Sequence, residues 1–260
     1  MIIAITRAVS RSINECELTH LERTPIDLER ARQQHHAYEH ALRNVGVQVQ
    51  SLPEEPDLPD SVFVEDIAVV LGECALLTRP GALSRQAETS SIAAALAPHR
   101  DLYQILAPGT LDGGDVLVLG KTIYAGLSSR TNQAAINQLR NYTRPFGYSV
   151  QEVHLDGCLH LKSSVTQVAA ETLLVNPAWV DISNFPEYTL IEIHPSESYA
   201  ANALLVGEKV LYQPAFPRTG ERLEAAGIHT LLVDASELGK AEGAITCCSL
   251  IFSANPAPSA

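Results

Sequence analysis

The sequence lacks any apolar run long enough to cross a bilayer, and it is poor in basic residues. Lys and Arg number 18 against 30 Asp and Glu, a formal net charge of −12. Nucleic acid and anionic membrane surfaces both need basic patches, so neither is expected as a partner. The opening Met1-Ile2-Ile3-Ala4-Ile5-Thr6 is too short for a secretory signal, which makes the cytoplasm the expected compartment. Cysteine is scarce: Cys16, Cys74, Cys158, Cys247 and Cys248 are odd in number and form no C-x-x-C pair. That spacing argues against a disulfide framework and a structural zinc site, and no metal or other cofactor is expected. What is present is ordinary for a globular chain of 260 residues, with 46% hydrophobic and 18% charged positions. Such a chain can bury a core without staples. Its acidity suits a small cationic substrate and leaves a homodimer open.

The pattern along the chain repeats. A strand over 1–6, a helix over 27–43 and a strand over 47–52 come first. Four passes follow, each strand, tight turn, strand, helix, strand. The first pass reads 62–71, turn 72–73, 75–78, helix 85–97 and 102–106. The second reads 116–119, turn 120–121, 122–125, helix 131–146 and 149–153. The third has 164–169, turn 170–171, 173–175, a short helix or loop over 177–187, and 190–193. The fourth has 203–206, turn 207–208, 210–213, helix 218–226 and 230–233. The opening elements lack a first strand, and the apolar run 245–252 can supply it. The expected architecture is α/β: one domain over 1–260, a propeller of five ββαβ modules with pseudo-fivefold symmetry. The C-terminal strand closes it against the N-terminal one, leaving no open edge.

Polar residues cluster at or just before each module's first strand. Asp60, Glu65 and Asp66 lie in or beside the apolar run from Val62, where burying carboxylates is costly unless a cation meets them. Asp112 precedes Gly113-Gly114, a pair that lets backbone approach closely but equally marks a tight turn. His160 stands in Leu159-His160-Leu161-Lys162-Ser163, and Cys247-Cys248 in the closing run. Adjacent residues of a strand face opposite ways, so the two thiols cannot share a role. Taken alone, both also read as small buried hydrophobes. If the ring forms, one thiol, His160 and Asp112 converge as nucleophile, base and orienting carboxylate.

The segments Val64–Val70, Thr78–Ala82, Leu111–Leu117, Gly126–Asn132, Leu159–Ser163 and Thr246–Ser249 resemble, in this order, the dimethylarginine dimethylaminohydrolases of the guanidine-modifying superfamily. The resemblance implies a five-bladed α/β-propeller and roles by position. Cys247 matches the nucleophile, His160 the general acid/base and Asp112 its carboxylate. Glu65 and Asp66 match residues around the guanidinium, with Asp60 nearby. Arg85 and Arg130 match arginines that hold the α-carboxylate and its surroundings. Leu18 falls in the lid loop, and Ala241 where a backbone carbonyl meets substrate. Lys162 replaces an aspartate found in many arginine deiminases, which favours an N-methylated substrate. Asp112 is one methylene shorter than the glutamate common elsewhere. The implied reaction is hydrolysis of Nω-methylated L-arginine to L-citrulline and a methylamine through a Cys-thiouronium. The same thiol and imidazole would make zinc an inhibitor.

Overall fold

The computed structural model describes residues 1–254. Strand β1 (Ile2–Arg7) runs parallel to β2 (Val47–Leu52). The next sheet holds β3 (Ala68–Val70), β4 (Cys74–Leu77) and β5 (Asp101–Gln104). Strands β6 (Val116–Leu119), β7 (Thr122–Leu127) and β8 (Ser149–His154) form another. A fourth has β9 (Val165–Ala169), β10 (Thr172–Val175) and β11 (Thr189–Glu192); a fifth has β12 (Leu204–Val206), β13 (Lys209–Tyr212) and β14 (Thr230–Leu232). Finally β15 (Leu250–Ser253) returns to β1, antiparallel, with Ile2 opposite Ser253 and Ile5 opposite Leu250. Each of the five small sheets thus has one antiparallel and one parallel pair. The fold is mixed α/β.

A parallel pair cannot be joined by a hairpin, so each needs a crossover. Helices α1 (Leu28–Asn44), α2 (Thr89–Leu96), α3 (Gln133–Thr143) and α5 (Pro217–Ala225) lie in four of these connections. Helix α1 begins where the Asp27 carboxylate accepts from the Arg30 N–H at 3.1 Å, a cap worth about 1 kcal/mol. It buries Ala31, His35, Tyr38 and Leu42, spaced to one face. Asn132 caps α3 in the same way, above a buried stripe of Ala135, Ile136 and Leu139. The β10–β11 connection carries only one 3-10 turn, Ile182–Asn184. Two single turns, α4 (Leu161–Ser164) and α6 (Ser236–Gly239), complete the helices among the described residues, none of which is long and apolar enough to cross a membrane.

Apolar side chains collect in five clusters, each shared by sheets consecutive in the chain. Ile5 and Leu250 pack with Ala75 and Leu77; Leu76 with Val116 and Ile123; Leu119 with Val165 and Leu173; Leu174 with Val210 and Tyr212. The last sheet then shares Leu211 with Ala4 and Val47 of the first. Full burial of an Ile or Leu such as Ile5 or Leu119 contributes about 1.5–3 kcal/mol.

The structure corrects several sequence expectations. Of the expected strand 62–71 only β3 forms; Val64–Ile67 is a 3-10 turn. The run 245–252 likewise begins as a turn, Thr246–Cys248, and only β15 is extended. Gly113–Asp115 and α4 precede β6 and β9 similarly. Short apolar runs do not separate strand from turn by periodicity, which is why Val64–Ile67 and Thr246–Cys248 read as strand. The helix expected from Arg85 opens as 3-10 over Leu83–Glu88, with α2 starting at Thr89. The segment 7–24, read as a polar loop, buries Arg7, Val9, Ile13 and Cys16.

Candidate active site

The four turns that precede β3, β6, β9 and β15 carry or adjoin most of the polar residues singled out in the sequence, and they pack against one another. A turn puts successive side chains on different headings, so a run too apolar to look functional can aim one group into a cavity. Cys247 and Cys248 sit in the Thr246–Cys248 turn, about a third of a turn apart. Cys248 is buried, its Sγ 3.4 Å from the Ala244 carbonyl, whereas Cys247 is half-buried and lines a cavity. The two thiols do divide, but by turn geometry rather than strand alternation. Thr246 anchors this turn: its hydroxyl donates to Glu65 Oε2 at 2.8 Å and accepts from Asn202 Nδ2 at 2.9 Å.

The cavity beside Cys247 also receives His160, Asp112, Asp66, Asp60 and Arg85. His160 Nε2 donates to Asp112 Oδ2 at 3.1 Å, and its Nδ1 stands 3.8 Å from Asp66 Oδ1. Asp112 is held by the Gly81 N–H at 2.8 Å, and Asp66 by the Gly114 N–H at 3.1 Å. Burial alone would lower the imidazole's pKa, but Asp66, the Asp112 hydrogen bond and Asp115 outweigh it and raise it to about 9. The Cys247 thiol is pushed well above its usual value by burial, then by the charges of Glu65 and Asp66. Both shifts favour an imidazolium beside a neutral thiol. Asp66, Asp112 and His160 offer ligand atoms close enough for a metal ion, yet their negative charge is already met by the imidazolium and by Arg85.

Arg85 is buried and fully engaged. Its Nη1 donates to Asp66 Oδ2 at 2.6 Å, its Nε and Nη2 to Glu88 at 3.0 Å, and its Nη2 also to the Phe63 carbonyl at 3.0 Å. It backs the cavity and fixes Asp66. Glu65 does not line this cavity. Lys162 Nζ takes its Oε1 at 2.7 Å, and with Gly113 these residues border a second cavity on the side of the first strands. Ala241 and Arg130 line the Cys247 cavity; Leu18 does not, although its neighbour Glu17 does.

Sequence reasoning missed Phe63, Leu159, Glu17, Glu242 and Gly243, all of which border the cavity. Glu242 carried one readable signal, its position next to Ala241. It adopts φ +58, and its carboxylate accepts from the backbone N–H groups of Thr19 (3.0 Å), His20 (2.5 Å) and Leu21 (2.6 Å). Arg130 Nη2 adds a bond to Thr19 Oγ1 at 3.0 Å. With segment 17–21 held down, the cavity is about 20 Å³, the room of a water rather than of an amino acid. Glu242→Ala should release the segment and raise KM by roughly tenfold, one charge-assisted hydrogen bond's worth or slightly more, with kcat changing less. Steady-state kinetics check this.

The paired glycines are explained by close approach. A Cβ on Gly113 would stand 2.0 Å from the Glu65 carbonyl oxygen, and one on Gly114 2.6 Å from His160 Nδ1. Gly113→Ala should cost about 3 kcal/mol or more, since backbone cannot yield as a flexible side chain does. Chemical denaturation measures that loss.

A thiol, an imidazolium held between two carboxylates and a cavity under a latched segment are the groups that enzymes with a cysteine nucleophile and a histidine acid/base bring together. Which one is settled by likeness over the whole length. The chain belongs to the dimethylarginine dimethylaminohydrolase family: residues 5–182 match the model for the eukaryotic N,N dimethylarginine dimethylhydrolases. It is 41% identical to the N(G),N(G)-dimethylarginine dimethylaminohydrolase of Streptomyces coelicolor, over 95% of each chain. Identity to the Pseudomonas aeruginosa enzyme of that name is 37%, over 95% of this chain and 98% of the other. A solved Pseudomonas aeruginosa structure, a cysteine-to-serine mutant complexed with citrulline, superposes with a TM-score of 0.91 at 35% identity, covering 96% of this chain and 98% of that one.

Proposed function

We propose that this protein hydrolyses Nω-methylated or dimethylated L-arginine to L-citrulline and the corresponding methylamine, as a single catalytic domain. One observation carries the reading: Cys247 and the His160–Asp112 pair border one cavity that also holds the acidic Asp60 and Asp66. An arriving guanidinium meets those carboxylates, and its charge favours the Cys247 thiolate, offsetting what burial withholds. The thiolate attacks the guanidinium carbon, His160 protonates the departing amine, and the imidazole left behind draws a proton from water to release citrulline. No step calls for a metal.

Lys162 supports a methylated substrate over arginine. Its ammonium binds Glu65 at 2.7 Å on the side of the second cavity, so neither residue gives the catalytic cavity an acceptor, where a carboxylate at this position would have. A free guanidinium carries five N–H donors, and a dimethylated terminal nitrogen carries none, so the methylated substrate leaves fewer unmet here. The test is citrulline production from arginine, monomethylarginine and dimethylarginine. The expected kcat/KM advantage of a methylated substrate is on the order of 10². Equal or faster turnover of arginine would make the chain an arginine deiminase, and binding without turnover a guanidine-binding protein.

For the architecture, the proposal is that the five sheets stand as blades around one axis. The clusters shared from each sheet to the next and back to the first support it. So does a cavity of about 270 Å³ bordered by Val69, Leu117, Thr166, Leu204 and Leu250, one residue from the first strand of every sheet. Five free thiols fit a reducing, cytoplasmic setting.

A further inference from the structure

Next to the catalytic cavity lies a second chamber of about 280 Å³, and Leu159, Glu242 and Gly243 border both. Its lining is mainly apolar, with Leu21, Ala215 and the aromatic rings of Tyr199 and Phe216. Leu21 belongs to the segment latched by Glu242, so closing that segment also roofs the chamber. Tyr199, 47% exposed, marks the way to solvent. No Lys or Arg borders it among the described residues, and Glu242 gives it a negative charge. Gln213 is the telling residue. It is 7% exposed and lines the chamber with a side-chain amide that can both donate and accept. A ligand in the chamber can bond to that amide in place of water.

The chemistry of the first half-reaction supplies such a ligand. When Cys247 Sγ bonds to the guanidinium carbon, the C–N bond to the methylated nitrogen breaks, and the proton on His160 passes to that nitrogen. A neutral amine results, and it gains a further proton from solvent as it leaves. It must depart before water can attack the thiouronium, and the segment latched by Glu242 lies across the direct way out. We propose that the adjoining chamber is a binding site for the small methylated ammonium released there, and its way out past the closed segment. The methyl groups meet Leu21, Leu159 and Ala215. An N–H meets the Gln213 carbonyl oxygen, and the charge meets Glu242 and the aromatic rings. This assignment rests on the methylarginine reading for the identity of the amine.

The probe is dimethylammonium chloride, observed by saturation-transfer NMR on the intact protein in the presence of saturating citrulline. Saturable binding is expected, because the place for citrulline is beside Cys247 and the amine's is the adjoining chamber. Gln213→Leu should weaken it by roughly tenfold, as loss of a hydrogen bond to a charged group does. Ala215→Trp, which fills the chamber, should abolish binding and lower kcat on dimethylarginine about tenfold, one hydrogen bond's worth of slowed departure. Alkylation of Cys247 by iodoacetamide should stay at the wild-type rate, reporting an intact site. Displacement by citrulline, equal affinity in both variants, or no saturable binding would each overturn the proposal. The NMR arm needs no turnover, so a protein that forms no citrulline would refute the methylarginine reading separately.

Discussion

Cys247→Ser is expected to abolish citrulline formation, a loss on the order of 10⁴-fold or more, while Cys248→Ser keeps most of the activity. The sizes follow from what each sulfur touches. Cys247 is the one cysteine of five that is not buried, and it borders the cavity with His160. A serine hydroxyl there would have to ionise within reach of the charges of Glu65 and Asp66, which already resist a far more acidic thiol. Cys248 packs near Tyr38 and Ile245, with its Sγ on the Ala244 carbonyl; serine fits that contact and costs at most modest stability. The Thr246 turn stays anchored to Glu65 and Asn202 in both variants, so the fold should survive, and thermal melting checks it. Citrulline release by Cys247→Ser at the wild-type rate would remove the nucleophile from the mechanism. Loss of activity in Cys248→Ser at unchanged melting temperature would exchange the two roles.

The order of elements was readable from hydrophobic runs and turn residues because strand, turn and helix are local properties. β2 forms over the expected residues, and α1 begins one residue past its capping aspartate. The starts of the first strands were misread for an equally physical reason. Val64–Ile67 and Thr246–Cys248 are apolar enough to pass for strand, and what bends them is long-range: Thr246 reaches Glu65 across 181 positions, and Lys162 reaches it across 97. Those two bonds also turn Glu65 away from the cavity that its place beside Asp66 suggested. Arg85 is a similar case, because nothing local shows that Asp66, Glu88 and Phe63 enclose its guanidinium. Glu242 could not be seen as a latch, since the N–H groups it accepts lie more than 220 positions away.

His160→Gly should lose on the order of 10⁴-fold in kcat on dimethylarginine, because one imidazole serves both half-reactions and each use is worth about 10²–10⁴. The losses fall in sequence. An amine that is not protonated is a poor leaving group, so the thiouronium forms slowly; once formed, it lacks the base that activates water. A substrate with a better leaving group should separate the two and let the adduct accumulate on Cys247, visible as added mass on the intact protein. An S-alkyl thiocitrulline is such a substrate, because its thiolate leaves without needing a proton from His160. The pH profile of the wild type tests the same residue. The free site holds His160 protonated up to about pH 9 and Cys247 as a thiol, one proton more than the reacting thiolate–imidazolium pair. Thus kcat/KM should climb about tenfold per pH unit and level off near that value, since it reports the free enzyme. Asp66→Asn removes the largest charge raising the imidazole, so the break should move to lower pH by about one unit. In the complex the bound guanidinium supplies the missing positive charge, the thiolate forms without help from solvent pH, and kcat should level off well below pH 9. A kcat/KM that is flat between about pH 6 and 8 would mean that the free site already holds the ion pair, and that the substrate does not drive the proton off Cys247.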